Sequence, residues 1–451
     1  MSQVWRQLAS LLPMRVLLIN RYFHPDHSPT SVLASELAFA LRQRGIQVSI
    51  ITSRLHYEDG NPPLPKHETI QGVEVHRVWT SRRGRSGLLG RGLDYATFYL
   101  AAAWRLWKLL RPDDIVVAKT DPPLLPVMAG LITRLRGARI VNWLQDIFPE
   151  VAEALQVGGS VGGTCFRMLK PLSHWSLRQA NVNVVVGEAM SAHLKRQGIA
   201  PGRLHVISNW ADGAVVTPIS AARNDLRRSW GLNDRFVVAY AGNLGRAHDV
   251  ATAIEAMTLL QERAARSTSS DLARRIIFVF VGGGFRRAEL EQQVLQRQLT
   301  NVRMYPYQPQ DRLAETLGVA DVHLVSLHPK LEGLIVPSKF YAIAAAGRPT
   351  LFVGASNGEI ARLIDQAACG FSVKPNDGEA LMDRVLQLAA DPELCASMGE
   401  RARAAFDARW NKSLAVEQWA KVLNGVTLQG EATGKGDETR TDSATLQQPT
   451  Q

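Results

Sequence analysis

Glu332 and Lys339 stand on either side of a Pro-Ser turn in the stretch EGLIVPSKFYAIAAAGRPT, residues 332–350. A lysine at the start of a helix suits a diphosphate, because its ammonium adds to the partial positive charge of the free helix N–H groups. A loop carboxylate can accept hydrogen bonds from sugar hydroxyls. The same two residues also fit an ordinary solvated loop. A second stretch, AGNLGRAHDVATAIEA (241–256), places Gly242, Asn243 and Gly245 in a tight turn after an apolar run, with Arg246 as a fixed positive charge. Such a turn either cradles phosphate on backbone N–H groups or simply bends the chain. In FVGGGFRR (280–287), Gly282, Gly283 and Gly284 either let a ligand approach backbone closely or pack a turn. In VNWLQDIFPEVAEAL (141–155), Asp146 falls at the carboxyl end of a strand-like run. Glu150 opens the next helix, where the dipole already accounts for a carboxylate.

These residues need elements to hold them. MRVLLIN (14–20) reads as a buried strand, and a polar loop, RYFHPDHSPTS, follows it. VLASELAFALRQRG then carries apolar residues at helical spacing up to Gly45, and IQVSIITS is the next strand. Strand, helix, strand predicts a parallel βαβ unit. Further runs at DIVVAKTDPPL, ARIVNWLQD and ANVNVVVGE continue the alternation, which restarts at FVVAYAGNLG. The expectation is an α/β protein of two Rossmann-like, doubly wound domains facing a cleft, at residues 14–217 and 222–424, with a disordered polar tail at 428–451. A cleft at the carboxyl ends of both sheets is where ligands of such folds bind.

Composition narrows the class. The hydrophobic share of 46% suits a globular protein of 451 residues with about two cores. No stretch reaches the ~18 apolar residues of a membrane span. The start, MSQVWRQLASLLPMRVLLIN, is not that of a secretory signal, and Met14 is a possible alternative start. Cys165, Cys369 and Cys395 form no CxxC pair and imply a reducing compartment. No zinc-type cluster is legible, and no metal or cofactor is expected.

Residues 1–217 hold 25 Lys+Arg against 15 Asp+Glu, nearly all of the net charge of +11. Between Arg77 and Arg111 lie eight basic residues and one acid, Asp94, interleaved with six aromatic rings. That mixture suits an anionic membrane surface, a single-stranded nucleic acid, or an amphipathic core helix with solvated arginines. No nucleic-acid-binding signature accompanies it, so no nucleic acid is expected.

Taken in order, MRVLLINRYFHPD, QDIFPE, HVISNWADG, YAGNLGRAHD, VFVGGG, ADVHLVSL, PSKFYAIAAAGRP and MGERARAAF resemble glycosyltransferase family 4, over about residues 14–423. That family has the two-domain GT-B fold and retains anomeric configuration. The QDIFPE and PSK forms are most similar to its bacterial exopolysaccharide branch, including colanic-acid-type enzymes. The resemblance implies a UDP- or GDP-linked sugar donor, its diphosphate on Gly242, Asn243, Gly245, Arg246, Ser338 and Lys339. Base and ribose would lie near Gly282 to Gly284 and Tyr307. Glu332 would reach the donor sugar. Asp146 would face the acceptor, with His24, Asp26, Ser28 and Thr30 of the first loop. A lipid-linked saccharide acceptor and a cytoplasmic enzyme at the inner face of the plasma membrane follow from the same resemblance. In the family's proposed mechanism the leaving diphosphate helps deprotonate the acceptor.

The chain departs from the family at two places. Ala342 occupies the position of the second of two glutamates, and Glu332 matches the first only with a small insertion. Glu359 is the expected substitute for the contact missing at Ala342. Ser28-Pro29-Thr30 replaces a glycine pair in the acceptor loop. A nucleotide-sugar epimerase on the same scaffold and a non-catalytic assembly scaffold are the alternatives.

Overall fold

The computed structural model describes residues 14–57, 62–84, 88–266 and 272–438. Within them the apolar runs form two sheets. The first joins β1 (Arg15–Ile19), β2 (Gln47–Ser53), β3 (His67–Ile70), β4 (Val73–Val78), β5 (Ile115–Lys119), β6 (Arg139–Leu144), β7 (Val182–Val185) and β8 (Leu204–Val206) in the order β3-β4-β2-β1-β5-β6-β7-β8. All pairings are parallel except the hairpin β3–β4. That hairpin turns on Gln71 and Gly72, both at positive φ (49° and 80°), the backbone of a two-residue turn matching strand twist. The second sheet joins β9 (Phe236–Ala241), β10 (Ile276–Val281), β11 (Val302–Tyr305), β12 (Val322–Ser326), β13 (Thr350–Val353) and β14 (Gly370–Val373), all parallel, in the order β11-β10-β9-β12-β13-β14.

The helices that place functional residues are α1 (Pro29–Gln43), α2 (Leu88–Leu109), α3 (Leu125–Arg136), α4 (Gly159–Gln179), α5 (Glu188–Arg196), α6 (Ala251–Arg266), α7 (Lys339–Ala345), α8 (Glu359–Ala367) and α9 (Lys412–Glu438). Leu33, Leu37 and Leu41 form the buried stripe of α1 at i, i+4, i+8, so this helix covers one face of the first sheet. Helices α2, α3 and α4 lie side by side, with Phe98, Ala102 and Leu106 of α2 against the sheet's other face.

The two sheets meet across an apolar seam. Leu144, Ile147, Val185 and Met190 of the first half share one buried cluster with Val325, Leu331, Leu334 and Phe340 of the second. Backbone bonds cross it as well: the Ile147 N–H donates to Leu334 O at 2.9 Å, beside a bridge between Asp146 and Ile335.

One element leaves its half. Residues 412–424, expected in the second domain, return to the first, where Val416, Trp419 and Leu423 of α9 join its core. Trp419 lies edge-on to Trp143, their centroids 4.8 Å apart, and Trp143 stacks on Trp210. Indole rings pack this way because ring edges are positive and faces negative. The helix runs to Glu438, so the tail expected to lack order from residue 428 is helical that far. The remainder of that tail and residues 1–13 lie outside the described residues.

Trp419→Ala removes a fully buried indole from the contact between the last helix and the first core. Such truncations cost about 3–5 kcal/mol. The expected result is a lower urea midpoint for the transition reporting the first half, measured by equilibrium unfolding.

Candidate active site

One wall of the seam begins where β9 and β10 end. Gly242 and Gly282 sit at φ +113° and +124°, and the two loops that follow are tied together. The Gly242 N–H donates to Val281 O and the Leu244 N–H to Gly283 O, at 2.8 and 2.7 Å. A Cβ on Gly282 would lie 2.5 Å from Gly242 O, and one on Gly284 2.4 Å from Asn243 Oδ1. These glycines therefore let two loops lie in contact, and packing accounts for both. Tyr307 covers Gly283, where an added Cβ would come 3.0 Å from its ring.

Lys339 opens α7 and reaches over the first loop. Its Nζ donates to Asn243 O at 2.9 Å and lies 3.3 Å from His248 Nε2. His248 Nδ1 is 2.7 Å from Ser326 O, which can only accept, so Nδ1 carries the proton and Nε2 offers a lone pair to the ammonium. Burial and the facing Lys339 charge drive the imidazole down to about 3, so it stays neutral and keeps that tautomer. Burial also lowers Lys339 to about 8. Arg246 is exposed beside this group, its guanidinium 3.7 Å from the Phe285 ring centre. Ser338 is the residue before α7 and makes no side-chain cap bond. The arrangement is a half-buried cation, an exposed guanidinium and a glycine turn converging on one spot, which suits a dianionic phosphate group.

The carboxylates are differently engaged. Glu332 Oε1 accepts from the Glu359 N–H at 2.7 Å, closing the amino end of α8, and burial raises its pKa. Glu359 is itself 4% exposed. Its Oε2 accepts from the Ala189 N–H at the start of α5 (2.8 Å) and from Arg362 (2.6 Å). The side chain expected to replace the contact missing at Ala342 thus points across the seam to another helix. Ala342 is half-buried against the shared core.

On the facing wall the first loop is held from below. Asp26 accepts the N–H groups of Ser28 and Tyr57. The Ser28 hydroxyl is buried without a partner. Thr30 donates to Asp121 Oδ2 at 2.9 Å, and its carbonyl accepts from the buried Lys119 Nζ at 2.8 Å. His24 is fixed through its backbone to Ser35 and Arg77. Lys119 lies 4.1 Å from the Trp143 ring centre, and burial brings its pKa to about 7. Lys119, Asp121, Arg77 and His248 were not singled out as functional in the sequence. The available signal was the polar ending Lys-Thr-Asp of an otherwise apolar strand.

Asp146 stands at the end of β6 where the two walls touch. Its Oδ1 has no hydrogen-bond partner, and burial raises its carboxyl to about 6. It borders a small pocket of about 30 Å³ with Thr120 and Ser176, enough for about two waters. Among the described residues no His, Cys, Asp and Glu cluster could hold a metal.

Comparison with known proteins adds a family context. Residues 30–210 match the glycosyl transferase 4-like domain, and residues 222–405 match glycosyl transferases group 1. The chain is 28% identical to a Pseudomonas aeruginosa protein named as a glycosyltransferase, WbjE, over 75% of this chain and 81% of that one. It is 26% identical to WcaI of Escherichia coli, named for colanic acid biosynthesis glycosyl transfer, over 84% of this chain and 93% of that one. Among solved structures it is similar to WaaG, a glycosyltransferase involved in lipopolysaccharide biosynthesis (TM-score 0.67, 17% identity, covering 91% of this chain and all of that one). The Anabaena protein HepE in complex with UDP-glucose superposes equally well (TM-score 0.67, 15% identity, the same coverage). These last two likenesses concern the fold, which is the GT-B arrangement.

Two outcomes follow from the electrostatics. If Lys339 supplies charge to a bound diphosphate, calorimetric affinity for UDP or GDP falls as pH climbs through about 8, because the lysine loses its proton there. Lys339→Ala abolishes that slope and weakens binding by about 10- to 100-fold, the value of a hydrogen bond to a charged group. Asp146 has the opposite signature in stability. Its folded pKa lies above the unfolded value of 3.8, so the native state holds more protons between pH 4 and 6, and stability drops as pH rises through that window. Asp146→Asn removes this drop, which thermal melts from pH 4 to 7 measure.

Proposed function

Because the chain belongs to glycosyltransferase family 4, we propose that it moves a sugar, with retained configuration, from a nucleoside diphosphate sugar to a lipid-linked saccharide during bacterial polysaccharide synthesis. In this reading the donor diphosphate rests against Lys339, Arg246 and the turn from Gly242 to Gly245, its base near Tyr307. The acceptor hydroxyl arrives over the first loop, between Thr30 and Asp146. Departure of the sugar leaves negative charge on the diphosphate, and a lysine already fixed by two acceptors meets that charge without reorganising. The apolar seam excludes water, which would otherwise hydrolyse the donor.

One observation carries the lipid-linked part: an apolar helical face rimmed by positive charge. On α2, Leu93, Leu100, Trp104 and Trp107 are exposed, and at 100° per residue they fall within an arc of about 60°. Adjacent α3 exposes Leu135 and α4 exposes Met168, at 65% and 74%. The three helices carry Arg and Lys on their ends and flanks, and their one acid, Asp94, is buried. Lys108 and Arg136 lie over the Trp104 and Trp107 rings. Among the described residues no helix is long and apolar enough to cross a membrane, so this face would lie in the headgroup layer.

The test is sedimentation with vesicles of phosphatidylglycerol and phosphatidylethanolamine. Binding should fall with rising salt, and the Leu100→Glu/Trp104→Glu double variant should lose at least ten-fold, since each buried side chain contributes about 1.5–3 kcal/mol. Equal binding to neutral vesicles, or none, would overturn the membrane part. Incorporation of labelled donor sugar into an organic-extractable product tests the transfer itself.

A further inference from the structure

Glu150, the last residue of QDIFPE, has no task in the reaction proposed above. The helix that it opens, Glu150–Ala154, has five residues, so its dipole is small and gives a carboxylate little reason to be there. A side chain holds it instead. Gln197, the residue that follows α5, donates from Nε2 to Glu150 Oε1 at 3.2 Å. The same carboxamide reaches two histidines. His193 Nε2, on α5, lies 2.8 Å from Gln197 Nε2, and His174 Nε2, on α4, lies 2.9 Å from Gln197 Oε1. One amide thus joins three helices of the first half.

The proton positions follow from the chemistry of the partners. A carboxylate only accepts, so the amide nitrogen must face Glu150 and the amide oxygen must face His174. His174 Nε2 therefore carries a hydrogen. His193 Nε2 meets the amide nitrogen, which only donates, so it offers a lone pair and its ring proton is on Nδ1. Burial lowers the pKa of His193 from its ordinary value of 6.5; the Glu150 charge opposes that shift, and Arg196 and His174 add to it. The neutral ring is the form that the relay requires.

A protonated His193 fits neither orientation of the amide. In the present one, two N–H donors would face each other across 2.8 Å. With the amide turned over, its oxygen would meet His193 but would also confront Glu150 Oε1. One acceptor remains, because Glu150 Oε2 is buried and has no hydrogen-bond partner among the described residues.

The relay reaches the seam through α5. Ala189, His193 and Gln197 follow one another at four-residue steps, so they share one face of the helix. Gly333 of the second half packs there: a Cβ on it would lie 3.1 Å from Ala189 O and 3.5 Å from His193 Cβ. The Ala189 N–H is also the one that Glu359 closes across the seam. His193 is therefore faced by Glu150 from the short helix, His174 from α4, Arg196 from its own helix and an uncharged glycine from the second half. The carboxylate beside that glycine, Glu332, is engaged with the Glu359 N–H.

We propose that this relay is a proton-sensitive latch of the seam: on protonation His193 leaves Gln197 for Glu150 Oε2, and α5 loosens its hold on the second half. The latch is independent of what the cleft binds. Because the folded pKa of His193 lies below its ordinary value, the native state holds fewer protons than the unfolded chain just below pH 6.5. Its contribution to stability is complete above that pH and is lost as pH falls.

Hydrogen exchange of the full chain, followed by mass spectrometry and corrected for the intrinsic pH dependence of exchange, tests this. From about pH 7.5 to about pH 5, amides of residues 188–197 and 331–335 should exchange about ten-fold faster, the equivalent of one pKa unit. Those of β6 should not change. His193→Gln cannot take up a proton, so it should hold its protection at both pH values. In histidine-labelled chain, the ring signal of His193 should titrate with a midpoint below 6.5, the ordinary value. Gln197→Leu should raise that midpoint, since the amide no longer donates to the neutral ring. PH-independent exchange in the unsubstituted chain overturns the proposal, as does a loss of protection spread equally over β6. The same acceleration in His193→Gln would assign the effect to another group. If His193→Gln lacks protection in β6 even at about pH 7.5, it does not fold, and the Gln197→Leu midpoint decides: unchanged, it removes the relay.

Discussion

Two carboxylates fix how the halves of this protein face each other. Glu332 closes the amino end of α8, and Glu359, the first residue of that helix, closes the amino end of α5 in the other half. Each satisfies an N–H group that a helix start leaves without a partner, and each sits where the dipole favours negative charge. A buried carboxylate without such partners would be costly, so the contact has strong directional preference. The close approach needs Gly187, where a Cβ would lie 2.9 Å from the Glu359 carboxyl carbon, and Gly358, where one would lie 2.4 Å from Glu332 Oε2. Two glycines and two glutamates therefore set the register of the seam. The shared apolar cluster, being non-directional, does less to choose that register.

Within this frame the group around Lys339 is held in place by its own hydrogen bonds. The neutral His248 is the pivot, because a protonated ring could not accept from Lys339. Burial keeps it neutral, and the Ser326 carbonyl keeps its proton on the far nitrogen. The ammonium thus points at the glycine turn, held by weak acceptors that a phosphate oxygen can outcompete. On the other wall Lys119 does for the first loop what His248 does for the second, through the Thr30 carbonyl.

The alternation of strands and helices was legible in the sequence because parallel strands buried on both faces read as continuous apolar runs. The hairpin β3–β4 was not, since HETI and VEVHRV are half polar and their turn is Gln-Gly rather than a stronger turn pair. Helix α9 has a clear apolar period, but nothing in a period says which sheet it will cover. Its return to the first core depends on Trp143 and Trp210, far away in the chain. At the site, the glycines and Lys339 were visible as motifs. The engagement of Glu332 and Glu359 was not, because a carboxylate that caps a helix and one that binds a hydroxyl have the same letter and the same neighbours.

That ambiguity bears on Ala342. With Glu332 and Glu359 both closing helix ends, the corner next to α7 already carries two carboxylates, and burial raises the pKa of Glu332, with the neighbouring Glu359 charge adding to it. Chemistry that places developing negative charge on a diphosphate gains from cations and N–H dipoles there and gains little from a further carboxylate. A missing hydroxyl contact costs about 0.5–3 kcal/mol in binding. Loss of Lys339 would instead remove charge from the leaving group itself, where the barrier is set. On the proposed reading, the residues that this chain keeps are those that meet charge developing in the transition state, and the one it lacks concerns the grip on the ground state.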